Sequence, residues 1–185
     1  MTNFEFALKE VLGIEGGYVD NKNDSGGKTN FGITEYTAKE AGYTGDMKNL
    51  TKEDAIQIYK KLFWDNPKLY LIQDKNIAKE VFEFGVNGGM KIAIKVLQRA
   101  YNSMNFDIIK EDGVLGEITA NKINNYKYKS SLLKVQNILQ GMYYILLAED
   151  EKDNLKLFRN HQEKPGIDKN KHFIRGWINK RVKVW

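Results

Sequence analysis

The chain has no cysteine among its 185 residues. This absence excludes disulfide bonds, cysteine-ligated metal sites and thiol nucleophiles. The two histidines, His161 and His172, do not have the spacing of a metal-binding motif, and the glycines form no complete phosphate-binding loop. We therefore predict neither a metal site nor a cofactor.

Long apolar stretches are also missing. No segment approaches the ~18 apolar residues that a membrane span needs, and residues 1–6 have no basic segment followed by an apolar run. We therefore expect a protein that is made in the cytoplasm without a signal peptide and is not an integral membrane protein. Proline is scarce, with two residues, and hydrophobic residues make up 42%, as is typical of an ordered chain.

Positive charge is in excess, with a formal net charge of +5. Such a balance favours polyanionic partners, which include nucleic acid, anionic lipid and an acidic cell wall. No nucleic-acid motif accompanies the basic residues, so a nucleic-acid partner is not predicted. From Lys164 onwards the sequence contains seven basic residues and one acidic residue, Asp168. This segment is either a surface for anionic wall polymers or a solvated helix face.

Helical periodicity dominates the sequence. Thr2 and Glu5 resemble a capping box, and an apolar face follows, so residues 3–14 are predicted to form a helix that ends at Gly16 and Gly17. Residues 18–33 are rich in turn formers, which predicts an irregular segment or a short hairpin. Further helices are predicted after Thr34, Thr51 and Asp74, over residues 92–101, after Ser130 or Ser131, and over residues 173–183.

The glycine pair Gly88-Gly89 divides two of these helices without a flexible linker. We therefore expect a mainly α fold with two regions, residues 1–87 and 88–185, packed together as one compact unit. Asp112-Gly113 begins a turn that leads towards Thr119, and this turn is either structural or part of a wall-binding module.

A carboxyl group, Glu15, stands where the first helix gives way to glycines. Partial burial of a carboxyl raises its pKa and keeps a proton available near neutral pH, as a general acid requires. Asp24 and Thr29 follow in a glycine-rich turn that can fold towards the helix end. If the reaction is glycoside hydrolysis, which needs such a general acid, Tyr18 and Asn30 are placed to hold sugar. From the residues alone, the alternative is that Glu15 is a solvated helix-end residue and Asp24 a turn former.

The run Glu15-Gly-Gly-Tyr-Val, followed by Asp24-Ser-Gly-Gly-Lys-Thr-Asn-Phe-Gly-Ile-Thr34, resembles the N-terminal signature of glycosyl hydrolase family 108. Tyr59 and Trp64 resemble an aromatic pair of that family. The segment from Glu83 to Asn87, which continues into two glycines, resembles its central motif, although many members carry aspartate where this chain has Glu83.

This resemblance implies a lysozyme-like helical fold and hydrolysis of the bond between N-acetylmuramic acid and N-acetylglucosamine. Glu15 takes the role of the general acid. Asp24 is preferred over Asp20 and Glu83 as the second carboxylate. Thr29 positions water, similar to the third residue of the phage-type lysozyme triad. Tyr18, Asn30, Tyr59, Trp64 and Asn87 are expected to bind substrate.

Two alternatives to hydrolysis stay open: a lytic transglycosylase, which closes an anhydro ring, and a secretion-accessory protein that binds peptidoglycan without cutting it. The resemblance also implies a peptidoglycan-binding region at the C-terminal side. We expect a monomer that acts on glycan strands in the cell wall or periplasm. It is either a phage or prophage endolysin released through a holin partner or a protein exported by a secretion system.

Overall fold

The computed structural model describes residues 1–14, 17–20 and 28–148, which form a mainly α structure with a small sheet after the first helix. The helices are α1 (Asn3–Ile14), α2 (Glu35–Glu40), α3 (Lys52–Lys60), α4 (Lys75–Gly88), α5 (Met90–Asn102), α6 (Glu117–Asn125) and α7 (Lys129–Ala148). The strands are β1 (Val19–Asp20), β2 (Lys28–Asn30) and β3 (Ile33–Thr34). The predicted fold class is therefore confirmed, while the predicted helix over 173–183 and the basic segment after Lys164 lie outside the described residues.

The chain divides into two compact units, Met1–Lys79 and Glu80–Trp185, so that the boundary falls within α4. The division expected from the sequence, between residues 87 and 88, and the packing of the two regions against each other stay predictions.

The first helix begins and ends where the sequence indicates. Thr2 Oγ1 accepts from the backbone N–H of Glu5 at 3.2 Å, and Glu5 Oε2 accepts from the backbone N–H of Thr2 at 2.7 Å. Two N–H groups of the first turn thus find acceptors. Apolar side chains recur on one face and are buried, including Phe4, Leu8 and Val11. The prediction of a helix over residues 3–14 is confirmed.

Side-chain caps start three more helices at the predicted positions. Thr34 accepts from the first turn of α2, and Thr51 forms a reciprocal capping box with Asp54 at the start of α3. The hydrogen bonds from Thr51 hold the pKa of the Asp54 carboxyl below its usual value. At the start of α4, Asp74 Oδ1 accepts from two backbone N–H groups at 2.9 and 3.1 Å. Each cap satisfies donors that have no partner within the helix.

The end of α3 is irregular. The helix passes into a π-helical segment, Lys61–Asp65, and then turns at Lys68, whose φ of 59° is left-handed. The turn is closed by Lys68 N, which donates to Asp65 O at 3.0 Å. Pro67 lies within this turn and cannot donate a backbone hydrogen bond, which ends the helical ladder.

Aromatic side chains form part of the core of the second unit. The ring of Phe84 on α4 meets the rings of Tyr143 and Tyr144 on α7 edge to face, at centroid distances of 5.3 and 5.6 Å. Such tilted pairs add to the stabilisation from burial. The helix α7 begins at Lys129, slightly before the predicted serines.

A fully buried glutamine holds the turn that follows Asp112. Gln98 Nε2 donates to Asp112 Oδ1 at 3.0 Å and to Val114 O at 3.1 Å, while its Oε1 accepts from Gly113 N at 2.9 Å. The hydrogen bond from Gln98 lowers the pKa of the Asp112 carboxyl. Gly113 has a φ of +73°, and a Cβ there would lie 2.5 Å from the carbonyl oxygen of Lys91. This turn is therefore a structural element of the second unit.

Two other buried glutamines have a different environment. Gln136 and Gln140 lie one helical turn apart on α7 with no exposed surface, and within the described part of the chain neither amide finds a hydrogen-bond partner. When the amide of their neighbour Asn137 is oriented with its nitrogen towards Glu80, this nitrogen donates to the buried carboxylate at 2.9 Å. Burying an amide without a partner costs about 1–3 kcal/mol.

Replacing Gln140 with methionine should therefore stabilise the protein. Methionine keeps a similar shape and removes two unsatisfied polar atoms, so we expect the free energy of unfolding to rise by about 1 kcal/mol. Urea denaturation followed by circular dichroism measures the change.

The matched control is Gln98→Met, at an equally buried glutamine whose amide is fully bonded. It should lower the free energy of unfolding by about 3 kcal/mol, because three hydrogen bonds that hold the turn are lost. Equal destabilisation by both substitutions would contradict the assignment of Gln140 as unsatisfied.

Candidate active site

The three strands form an antiparallel sheet in the order β1-β2-β3, with Thr29 opposite both Val19 and Thr34. Between β2 and β3 a two-residue turn is made by Phe31 and Gly32, whose φ angles are 49° and 74°. Positive φ at both central residues is typical of the tight turns that suit the twist of a hairpin. Within the segment that the sequence left open between irregular structure and a hairpin, β2 and β3 thus form a hairpin.

Phe31 is an unusual residue for this turn, because a bulky side chain at positive φ is strained. The carbonyl oxygen of Phe31 accepts a hydrogen bond from the hydroxyl of Tyr59 on α3 at 2.9 Å. Tyr59 is almost fully buried, at 1% exposure. The side chain that was predicted to bind sugar therefore holds the strained turn in place.

Asn30 is also tied to the backbone. It is buried, and its Nδ2 donates to Met47 O at 2.8 Å and to Leu50 O at 3.5 Å. These two carbonyls flank the 3₁₀ turn Met47–Asn49. The amide nitrogen of Asn30 thus fastens β2 to this turn, and the expected role of Asn30 in binding sugar stays a prediction.

Thr29 lies on the other face of the sheet from Asn30, because successive side chains of a strand alternate. Its neighbours across the strands are Val19, which is 53% exposed, and Thr34. Thr29 is itself half-buried. A hydroxyl on this open face can both donate and accept a hydrogen bond towards a ligand.

A lysine that the sequence reasoning missed lies beside this sheet. The ammonium of Lys48 is 5.5 Å from the ring centroid of Tyr18, within the range of a cation–π contact. Tyr18 is half-buried, so its ring is not available from every side. Because Lys48 lies far along the chain from Tyr18, no local spacing indicates this contact.

The structure describes only some of the carboxylates that are expected to take part in catalysis. Glu15 and Asp24 lie outside the described residues, so their roles stay predictions. Asp20 belongs to β1 and pairs in register with Lys28.

Two predicted residues belong to the second unit. Glu83 on α4 is 7% exposed, and its backbone oxygen accepts from Asn87 Nδ2 at 2.7 Å. The amide nitrogen of Asn87 is therefore bonded to its own helix.

The side chains of Trp64 and Tyr59 point in different directions. Its ring is 5% exposed and lies 5.5 Å from the ring of Phe4, near the beginning of α1. The two aromatic residues that the sequence grouped as a sugar-binding pair thus contact different parts of the first unit: Tyr59 supports the hairpin, and Trp64 packs against the start of α1.

Across the described ranges, no three histidine, aspartate or glutamate side chains gather as they would around a metal ion. In the same ranges, no helix has both the length and the apolar character to cross a membrane.

Comparison with known protein families accounts for almost the whole chain in two parts. Residues 8–89 match the family model described as glycosyl hydrolase 108, and residues 92–182 match a model described as a predicted peptidoglycan domain. The first of these parts is thus similar to glycosyl hydrolase family 108. Its structure is similar to that of Brucella abortus SagA, with a TM-score of 0.70 and 25% sequence identity over 96% of this chain and 88% of that one. No curated protein matches the sequence.

These comparisons confirm the family inferred from the sequence motifs and the mainly α, lysozyme-like fold. They also give the chain a peptidoglycan-related function, with a glycoside hydrolase region followed by a peptidoglycan-binding region.

The attachment of Asn30 provides a test of the hairpin. Replacing Asn30 with aspartate puts a carboxylate against two carbonyl oxygens, so we expect a loss of about 3 kcal/mol in the free energy of unfolding. Urea denaturation measures this loss. The control is Asn49→Asp, at an exposed asparagine of the neighbouring 3₁₀ turn, which should change stability by less than about 0.5 kcal/mol. Similar stability of the two variants would show that Asn30 does not fasten β2.

Proposed function

We propose that this protein is a muramidase, which hydrolyses the bond between N-acetylmuramic acid and N-acetylglucosamine in peptidoglycan. The observation that carries the proposal is the match of residues 8–89 to glycosyl hydrolase 108, because this range includes Glu15, Asp24 and Thr29. The peptidoglycan-domain match over residues 92–182 supports the same substrate.

The proposed reaction begins with protonation by Glu15. Its proton passes to the bridging oxygen, and the bond from that oxygen to the anomeric carbon of N-acetylmuramic acid breaks. Asp24 either accepts a proton from the attacking water or stabilises the positive charge at the anomeric carbon. The water supplies the new hydroxyl on that carbon.

Thr29 suits the positioning of this water. It lies in the central strand of the sheet, on the face that Val19 leaves open to solvent, and both neighbouring strands hold its backbone. A rigid strand fixes a hydroxyl more closely than a free loop does, which lowers the entropy cost of orienting water. The bonds of Tyr59 and Asn30 contribute to this rigidity.

Replacing Glu15 with glutamine should abolish lysis. Glutamine keeps the shape of the side chain and removes the transferable proton, so we expect the rate of release of soluble fragments from purified cell walls to fall about 1000-fold. The matched control is Glu10→Gln, at an exposed glutamate of α1, which should leave the rate unchanged. Retention of lysis in Glu15→Gln would sink this assignment of the general acid.

Product analysis separates hydrolysis from transglycosylation. If water completes the reaction, mass spectrometry of the released muropeptides will show reducing ends on muramic acid. Anhydromuramic ends would contradict the proposal and favour a lytic transglycosylase. Binding to insoluble peptidoglycan without any release of fragments would instead favour a non-hydrolytic accessory protein.

A further inference from the structure

A second candidate binding site lies at the beginning of α1, within the first compact unit. Here an open pocket has a volume of about 780 Å³, which is within the usual range for small-molecule sites. Its lining includes Phe4, Ile56, Lys60, Trp64, Asp65 and Tyr70.

The pocket adjoins two irregular stretches of backbone. One wall is the π-helical segment Lys61–Asp65, and π-helical turns occur often at functional sites. The adjoining turn holds Lys68 in the left-handed region, a strained conformation for a lysine. Both irregularities shape the same short stretch of chain, and this stretch presents Trp64 and Tyr70 to the pocket.

The pocket combines an apolar floor with a polar rim. Phe4 and Trp64 are buried, and their rings pack 5.5 Å apart, so they form a rigid apolar base. On the rim, Lys60 Nζ and Asp65 Oδ2 form a pair at 2.7 Å with both side chains about half exposed. An ionised carboxylate has about four acceptor sites, so Asp65 can also accept from the hydroxyl groups of a ligand.

Tyr70 supplies an exposed aromatic face. It is 56% exposed, although it follows the almost fully buried Leu69 in a short 3₁₀ turn. An exposed aromatic ring beside paired polar groups offers both a flat surface and hydrogen bonds. A sugar ring presents these two properties, an apolar C–H face and equatorial hydroxyls.

The pocket is separate from the predicted catalytic residues. It surrounds the first turns of α1, whereas Glu15 follows the last residue of this helix, Ile14. At 1.5 Å per residue, Asn3 and Ile14 are about 16 Å apart along the helix axis. A single sugar unit cannot occupy both places.

We propose that this pocket is a second glycan-binding site, which holds an N-acetylated sugar of a peptidoglycan strand away from the cleavage site. In this arrangement the sugar ring lies on Tyr70, the hydroxyls bond to Lys60 and Asp65, and the acetyl methyl group contacts the floor of Phe4 and Trp64. The choice of peptidoglycan rests on the proposed function, whereas binding of an N-acetylated sugar is measured without catalysis.

The first experiment is a titration of the full chain carrying Glu15→Gln, labelled with nitrogen-15, with the trimer of N-acetylglucosamine. Backbone amide shifts report binding residue by residue, so the pocket is distinguished from the predicted cleft. We expect saturable shifts at Ile56 and Tyr70. No shift at these amides would overturn the proposal.

A set of variants tests the aromatic contact. Tyr70→Ala should weaken binding at the Ile56 amide about tenfold, and Tyr70→Phe should retain it, because the ring rather than the hydroxyl provides the contact. The matched control is Tyr128→Ala, which removes a tyrosine of similar exposure, 59%, from the second unit and should leave binding unchanged. Equal affinity in Tyr70→Ala and the parent chain would contradict the proposal, and the parent titration gives a result even if one variant fails to fold.

The same titration tests the acetyl group. The trimers of glucosamine and of glucose have a similar ring shape and lack the acetyl methyl, so both should bind at least about tenfold more weakly at the Ile56 amide. Equal binding of the three sugars would overturn the assignment of an N-acetylated ligand.

Kinetics on chains with intact Glu15 connect the pocket to function. On purified cell walls, Tyr70→Ala should raise KM about tenfold and leave kcat unchanged, because the pocket holds substrate without touching the reacting atoms. On a short soluble muropeptide both constants should be unchanged. An unchanged KM on cell walls would contradict a role in holding the strand, whereas absence of cleavage by the parent chain would contradict only the muramidase proposal.

Discussion

The hydrogen bond from the Tyr59 hydroxyl to the Phe31 carbonyl is the contact on which the hairpin depends. Without this hydrogen bond, the strain of a bulky residue at positive φ would disfavour the tight turn. The hairpin in turn fixes the direction of β2, sends Asn30 inwards to Met47 O, and leaves Thr29 on the open face. One buried hydroxyl on α3 therefore determines how the first unit presents the residues expected to contact substrate.

The parts of the fold that sequence reasoning predicted are those fixed by local bonds. The caps at Thr34, Thr51 and Asp74 each join groups within three residues, so a short pattern contains all the information needed. The contact of Asn30 with Met47 O joins residues separated by 17 positions, and no local pattern reveals it. The sequence therefore indicated only a role in binding substrate for Asn30, which stays a prediction, and not its contact with the backbone.

Periodicity also leaves the direction of a side chain partly undetermined. Tyr59 and Trp64 were grouped because of a family resemblance, but the π-helical segment between them changes the angular spacing along the helix, and their rings diverge. On α7, the apolar pattern through Leu132, Val135, Leu139, Met142 and Leu146 predicted the buried face only in part: Met142 is 41% exposed, whereas Gln136 and Gln140 lie in the interior. Both cases arise because sequence patterns identify which residues are apolar, whereas packing decides where each side chain lies.

The sequence distance between Phe31 and Tyr59 has a consequence for folding. A two-stranded hairpin is only marginally stable by itself, and this one contains a strained turn whose support comes from a helix 28 residues further along. The final geometry of the turn therefore requires α3 to be in place. The position of Thr29 thus depends on the packing of α3 as well as on the pairing of the strands.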